Sequence, residues 1–134
     1  MAVKQLSVFV ENKFGRAYQI INVLSKNKIN INALCVADTS EYGIMRLIVD
    51  KPEEAMNVLK ESGVMVKITD VLAVPMETEA GSLSKLLKIM TDSRISIEYM
   101  YAFTDSEKSA VLVLKTDNND YALKQLTECG IKCF

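Results

Sequence analysis

Glu11-Asn12-Lys13-Phe14-Gly15-Arg16-Ala17 decides how this chain is read, because it joins two different periodicities. Before it, Leu6, Val8 and Val10 alternate with Gln5, Ser7 and Phe9, the period of a strand with one face on helices. After it, Ala17, Ile20, Ile21 and Leu24 recur at helical spacing, and Asn27-Lys28 stops the pattern. The stretch therefore predicts strand, tight turn, helix. The same grammar returns in Glu77-Thr78-Glu79-Ala80-Gly81-Ser82-Leu83, between Leu72, Val74, Met76 and Leu83, Leu86, Leu87, Met90. Gly15 and Gly81 are 66 positions apart, as are Ile20 and Leu86 and also Leu24 and Met90. A one-residue shift then aligns Ala55, Met56, Leu59, Gly63 and Val64 with Ala122, Leu123, Leu126, Gly130 and Ile131. One unit of about 67 residues occurs twice.

Outward from the first turn, Ile29 to Ala37 reads as an extended segment whose register breaks near Ala33-Leu34, the place for a bulge. Asp38-Thr39-Ser40-Glu41-Tyr42-Gly43 supplies hairpin chemistry, and Ile44 to Val49 is apolar at almost every position except Arg46, as in a strand covered on both faces. Pro52 with Glu53 and Glu54 opens a second helix, since proline needs no N–H there and acids suit the positive helix end. Gly63 ends that helix as a left-handed cap, and Val64 to Ile68 closes the unit as a fourth strand. The second copy repeats the plan with Ile95 to Phe103, a Thr104 to Ser109 hairpin, Ala110 to Leu114, a helix over Asn118 to Cys129 and a short last strand, Ile131 to Phe134. Pro75 predicts a missing or bulged contact in its strand. The units divide at 1–68 and 69–134, with only Thr69-Asp70 between the flanking strands and hence little freedom between them. Each is small enough to be marginal alone, so packing of one on the other is expected.

The totals exclude several classes of function. A net charge of −1, from 16 basic and 17 acidic residues, gives no electrostatic reason to bind nucleic acid or a membrane surface. Apolar runs such as Ala110 to Leu114 are strand-sized, not membrane-spanning, and the first residues lack the pattern of a secretory signal. A cytoplasmic protein is expected. Three cysteines favour reduced thiols over a disulfide framework, and with no histidine in the chain neither a metal site, a cofactor nor acid–base catalysis is expected. Phe9 is an isolated aromatic of the kind an RNA-binding sheet presents, against which the acidic balance argues.

The βαββαβ order, the glycine at the first strand-to-helix turn, the patterns Ile29-Asn30-Ile31-Asn32 and Ile95-Ser96-Ile97-Glu98 and the glycine after the second helix resemble the ACT domain. Two copies span nearly the whole chain, similar to stand-alone tandem ACT proteins. Phe14 and Ala80 stand where the family usually has proline. The resemblance implies an α+β fold of two ferredoxin-like βαββαβ units, antiparallel four-stranded sheets side by side with helices on one face. It also implies amino-acid binding near the seam, against the first turns, in a non-catalytic regulatory protein. An enzyme or regulator is the implied partner, and a homo-oligomer, a dimer, the implied assembly. The alternative is a structural or regulatory subunit of an amino-acid-metabolism enzyme that has lost the ligand.

The chemistry of the turn suits a zwitterion. A helix start offers unpaired N–H groups and partial positive charge, and glycine admits a close approach. The donors are expected around Phe14, Gly15 and Arg16, and again around Ala80, Gly81 and Ser82; Glu11 or Asn12 and Glu77 or Thr78 are expected to accept from the ammonium. The ends of the second strands, Ala37-Asp38-Thr39 and Phe103-Thr104, are the neighbours, and Phe103 against Ala37 makes the two sites unequal. Arg16 reads equally as a carboxylate clamp or a solvated side chain, and Arg46 as paired with an acid at the hairpin. Tyr99 and Tyr101 are expected at the seam, and Met45, Met56, Met90 and Met100 as core filler.

Overall fold

In the computed structural model, which describes residues 3–38 and 42–134, the two periodicities become the elements they predict. Strand β1 (Val3–Glu11) leads through the turn into helix α1 (Arg16–Lys26), followed by β2 (Ile31–Asp38), β3 (Tyr42–Val49) and helix α2 (Pro52–Glu61). Strand β4 (Val66–Glu77) then leads into helix α3 (Ser82–Asp92), β5 (Ile97–Ser106), β6 (Ser109–Thr116) and helix α4 (Asn119–Glu128). The chain divides into two units, Lys4–Thr69 and Asp70–Phe134, the latter joined by Val3.

In the first unit β3 lies between β2 and β1, antiparallel to both, with the start of β4 next to β1. Leu6, Val8 and Val10 of β1 share a core with Met45, Leu47 and Val49 of β3, closed by Ile20 and Leu24 of α1 and Ala55 and Leu59 of α2. Both helices therefore cover one sheet face. In the second unit β6 lies between β5 and β4, and Leu72, Val74, Leu112 and Leu114 meet Leu86, Met90, Ala122 and Leu126 in the same way. The residues matched by the repeat occupy equivalent core positions, which is the physical reason the spacing persists. A further pair is matched: Asp50 accepts from the Asn30 amide at 3.0 Å and Asp117 from the Ser96 amide at 3.2 Å, tying the start of β2 and β5 to the strand end opposite.

The one-residue shift between copies has a place. Ala37 pairs with Ile44 in the first hairpin, whereas Phe103 pairs with Val111 in the second, where the register slips between Thr104 and Ser106. The extra residue of the second copy is thus absorbed in the β5–β6 hairpin.

Four details differ from the expectations. Six strands form among the described residues: Val64 and Met65 precede β4, Thr69-Asp70 lies inside it, and Ile131–Phe134 is not a strand, although the Phe134 amide donates to the Ala73 carbonyl at 2.9 Å. The bulge in β2 falls between Ile31 and Ala33, which turns Ala33 inward and leaves Leu34 exposed. Pro75 causes no register shift against β6, because Ala73 and Pro75 share the strand edge that faces away from β6, where Phe134 bonds. Met100, expected in the core, is 41% exposed, since it lies on edge strand β5 beyond the cover of the helices.

Opposite the helices, Gln5 and Ser7 are buried, and polar contacts replace apolar ones: Gln5 Nε2 donates to Ser7 Oγ, which lies 3.1 Å from Thr69 Oγ1. Arg46, half-buried in mid-strand, stands opposite Ser7 and Cys35. Tyr99, Tyr101 and Phe103 are likewise half-buried along β5.

Candidate functional site

At the first turn the Lys13 amide donates to the Glu11 carbonyl at 2.7 Å and the Arg16 amide to the Lys13 carbonyl at 3.2 Å. The chain reverses through Gly15, whose φ of 82° lies in the left-handed region, and the Gly15 carbonyl accepts the first helical bond, from Gln19. The second turn is built alike: Gly81 has φ 96°, the Ser82 amide donates to Glu79 at 3.3 Å and the Lys85 amide to Gly81 at 2.9 Å. The Arg16 and Ser82 amides, expected as ligand donors, are thus engaged by these long bonds within their turns.

The helix starts differ in kind. Neither α1 nor α3 has a side-chain cap or an acid in its first turn. By contrast α2 carries Glu53 and Glu54 behind Pro52, and α4 is capped by Asn118, whose side chain accepts from the Tyr121 amide at 3.1 Å, with Asp120 in its first turn. Among the four described helices, the two entered through a left-handed glycine have neither a side-chain cap nor a first-turn acid at the positive end. A Cβ built on Gly15 or Gly81 would meet nothing within 4 Å, so each turn opens onto free space.

Polar side chains gather beside the first turn. The Glu11 carboxylate lies 3.2 Å from Lys13 Nζ and 3.7 Å from Arg16, and Arg16 also donates to Gln19 at 3.2 Å. The hydrogen bond and charge of Lys13, with the Arg16 guanidinium behind them, hold the Glu11 carboxyl below its usual range. All these groups are exposed, as are Asn12 and Phe14. At the second turn Thr78 is tied to the β5–β6 hairpin: its amide donates to Lys108 and its hydroxyl to the Glu107 carbonyl, both at 3.0 Å. Glu77 pairs with Ser109 across the ladder, and Ala80 is exposed.

The strand ends expected as neighbours lie at the same end of each sheet as the turns. Ala37, Ile44 and Phe9 form one row across three strands and Phe103, Val111 and Pro75 its counterpart, so Ala37 and Phe103 stand two strand spacings, about 10 Å, from the strand that enters each turn. Thr104 shares a row with Met76, and Asp38 with Val10. Thr39 lies outside the described residues.

Beside the first turn a groove of about 530 Å³ opens between α1 and the corner that joins α2 to β4. Ile20 and Val23 of α1 form one wall, Val64 and Met65 the other, and Phe9 and Tyr42 line it from the sheet, with Glu11, Arg16 and Gln19 at its polar end. The sequence reading found Glu11 and Arg16 but missed the rest. The available signal was Val64-Met65, which the second copy replaces with Ile131-Lys132, and the pairing of Phe9 with Pro75 across the repeat.

Among the described residues no three His, Cys, Asp or Glu side chains stand together as a metal would require, and no helix is long and apolar enough to cross a membrane.

Compared with known families, residues 1–131 match the ACT domain pair. Protein BT0572 from Bacteroides thetaiotaomicron, a solved structure, is 37% identical and superposes with a TM-score of 0.95 over 100% of this chain and 92% of that one. The ligand-free regulatory subunit of aspartate kinase from Thermus thermophilus shares the fold at a TM-score of 0.68 and 15% identity, over 93% of this chain and 90% of that one. The corresponding subunit from Thermus flavus gives 0.65 and 15%, over the same shares of the two chains. No curated protein matches. With its duplicated βαββαβ unit and its glycine-entered helices, the chain belongs to the ACT domain family as an ACT domain pair.

Proposed function

We propose that the chain is a non-catalytic sensor that binds an amino acid at its glycine turns and passes the binding state to an enzyme or regulator, acting as a dimer. The observation that carries this reading is the contrast among the four helix starts. Those of α2 and α4 have first-turn acids, with a capping side chain at α4, whereas those of α1 and α3, behind Gly15 and Gly81, have neither. A positive helix end that carries no acid and no side-chain cap favours a carboxylate. Similarity in fold to aspartate kinase regulatory subunits supports a regulatory role.

The helix end alone is too weak. It contributes about 0.3 to 2 kcal/mol, while micromolar affinity needs about 8 kcal/mol. The remainder must come from groups that recognise the ammonium and the side chain, for which Glu11, Asn12, Glu77 and Thr78 are the polar candidates. Isothermal calorimetry of the full chain against the twenty amino acids tests the proposal. Binding of at least one below millimolar concentration is expected; no heat from any would overturn ligand sensing and leave a regulatory subunit without a ligand.

A further inference from the structure

Building on the amino-acid reading above, we infer that the first unit holds its ligand in the groove beside α1. The groove takes the side chain of a large apolar amino acid, with the ligand's ammonium on Glu11 and its carboxylate on Arg16. The volume of about 530 Å³ lies within the range of small-molecule sites, which are apolar with a few placed polar groups. Here Ile20, Val23, Val64 and Met65 make apolar walls, Glu11, Arg16 and Gln19 stand at the turn end, and Ser62 lies at the corner with its hydroxyl given to the Val58 carbonyl. Phe9, Tyr42 and Met65 are 41%, 59% and 70% exposed, which leaves apolar surface for a guest to cover.

The polar end matches both charges of a zwitterion. Glu11 and Arg16 stand 3.7 Å apart as an exposed pair, an arrangement that opens at little cost. An inserted amino acid replaces that contact with one on each partner, its ammonium sharing the Glu11 carboxylate with Lys13, and the planar guanidinium suits a carboxylate. The helix start of α1, without a cap or an acid, adds to the same side of the balance. Within this unit the ligand would span from the turn at Gly15 to the α2–β4 corner at Val64.

The second copy lacks the combination. Ser82 stands in the place of Arg16, so the clamp does not recur, and Lys132 in the place of Met65 puts a charge into a wall that Leu86, Ile89 and Ile131 otherwise keep apolar. The inference is therefore one groove site per chain.

Calorimetry on the full chain decides it, with leucine, methionine and phenylalanine set against serine, aspartate and lysine. The apolar three should bind roughly tenfold or more tightly than the polar three, at one per chain. Arg16→Ser and Met65→Lys, which give the first groove the residues of the second copy at exposed positions, should each weaken binding roughly tenfold with an unchanged circular dichroism spectrum. Lys132→Ala should leave it within twofold. A preference for polar amino acids, two equal sites, or affinity unmoved by Arg16→Ser and Met65→Lys would overturn the groove while leaving amino-acid sensing in place. No binding by any of the twenty would overturn both.

Discussion

Replacing Gly15 with alanine isolates the physical role of the turn. At φ 82° an L-residue sits in the left-handed region, which costs roughly 1 to 2 kcal/mol. The new Cβ meets nothing within 4 Å, so no clash adds to that figure. Alanine also restricts the unfolded chain, which offsets about 0.4 to 1 kcal/mol. The net loss is therefore about 1 kcal/mol. For 134 residues, unfolding entropy near 2.1 cal/mol/K per residue gives about 0.28 kcal/mol/K, so a single cooperative transition should fall by about 3 to 4 °C. If the first unit unfolds alone, with about half that entropy, its own transition should fall by about 7 °C. Scanning calorimetry reads both the size of the shift and the number of transitions. Gly15→Asn should recover at least half the loss, because asparagine tolerates this conformation. Gly130→Ala is the control: its φ is also 82° and its surroundings are open, but it follows α4 and precedes no helix. It should cost the same stability without touching ligand affinity, whereas Gly15→Ala puts a methyl group in front of the uncapped helix start. An asparagine variant as unstable as the alanine one would refute backbone strain as the cause. A loss above about 3 kcal/mol would show crowding that the open turn does not contain.

Other perturbations test the core and the titrating groups. Leu126→Ala removes a fully buried side chain from the second core and should cost about 2 to 5 kcal/mol in urea unfolding, against under about 0.5 kcal/mol for Lys124→Ala. Because Lys13, and then Arg16, hold the Glu11 carboxyl below its ordinary value, the stabilisation from this group is present above the unfolded pKa of about 4.3 and fades as pH falls through the folded one. Carbon-detected NMR should show Glu11 titrating below an ordinary glutamate, and Lys13→Gln should raise it more than Arg16→Gln; the reverse order would count against the Lys13 contact. Burial pushes the Cys133 thiol up, so at pH 8 it should react with a disulfide reagent more slowly than exposed Cys129.

The fold was legible because its signals are local and repeated. Gly15 and Gly81 mark a conformation few other residues adopt, and Ile20, Leu24, Leu86 and Met90 mark the faces that must be buried. What escaped depended on neighbours that a linear reading does not contain. Whether Met100 is core or surface turns on β5 being an edge strand, and whether Pro75 breaks a ladder turns on which partner its missing N–H faces. Val64 and Met65 look like the start of a strand by composition, yet they form the corner where the Met65 carbonyl accepts from the Phe9 amide at 3.0 Å. The site was therefore readable only where it coincided with the turn. Glu11 and Arg16 were found because they flank the glycine; Ile20 belongs to the core and to the groove wall at once, and the two kinds of wall have the same composition.

Duplication explains why the two turns have diverged. A core position in either copy is constrained by volume, so Leu59 and Leu126 remain alike, as do Ala55 and Ala122. The positions around the turns are less constrained: exposed Arg16 against half-buried Ser82, and the exposed pairs Phe14 against Ala80 and Met65 against Lys132, can each change with little effect on folding. Thr78 is fastened to its hairpin by two hydrogen bonds, from its amide and its hydroxyl. If ligand binding resides in the first groove, exchanging these residues between copies should move the binding site from one unit to the other while leaving the melting temperature within a few degrees. If exchange abolishes binding in both, recognition depends on more than the side chains at the turn and the groove wall.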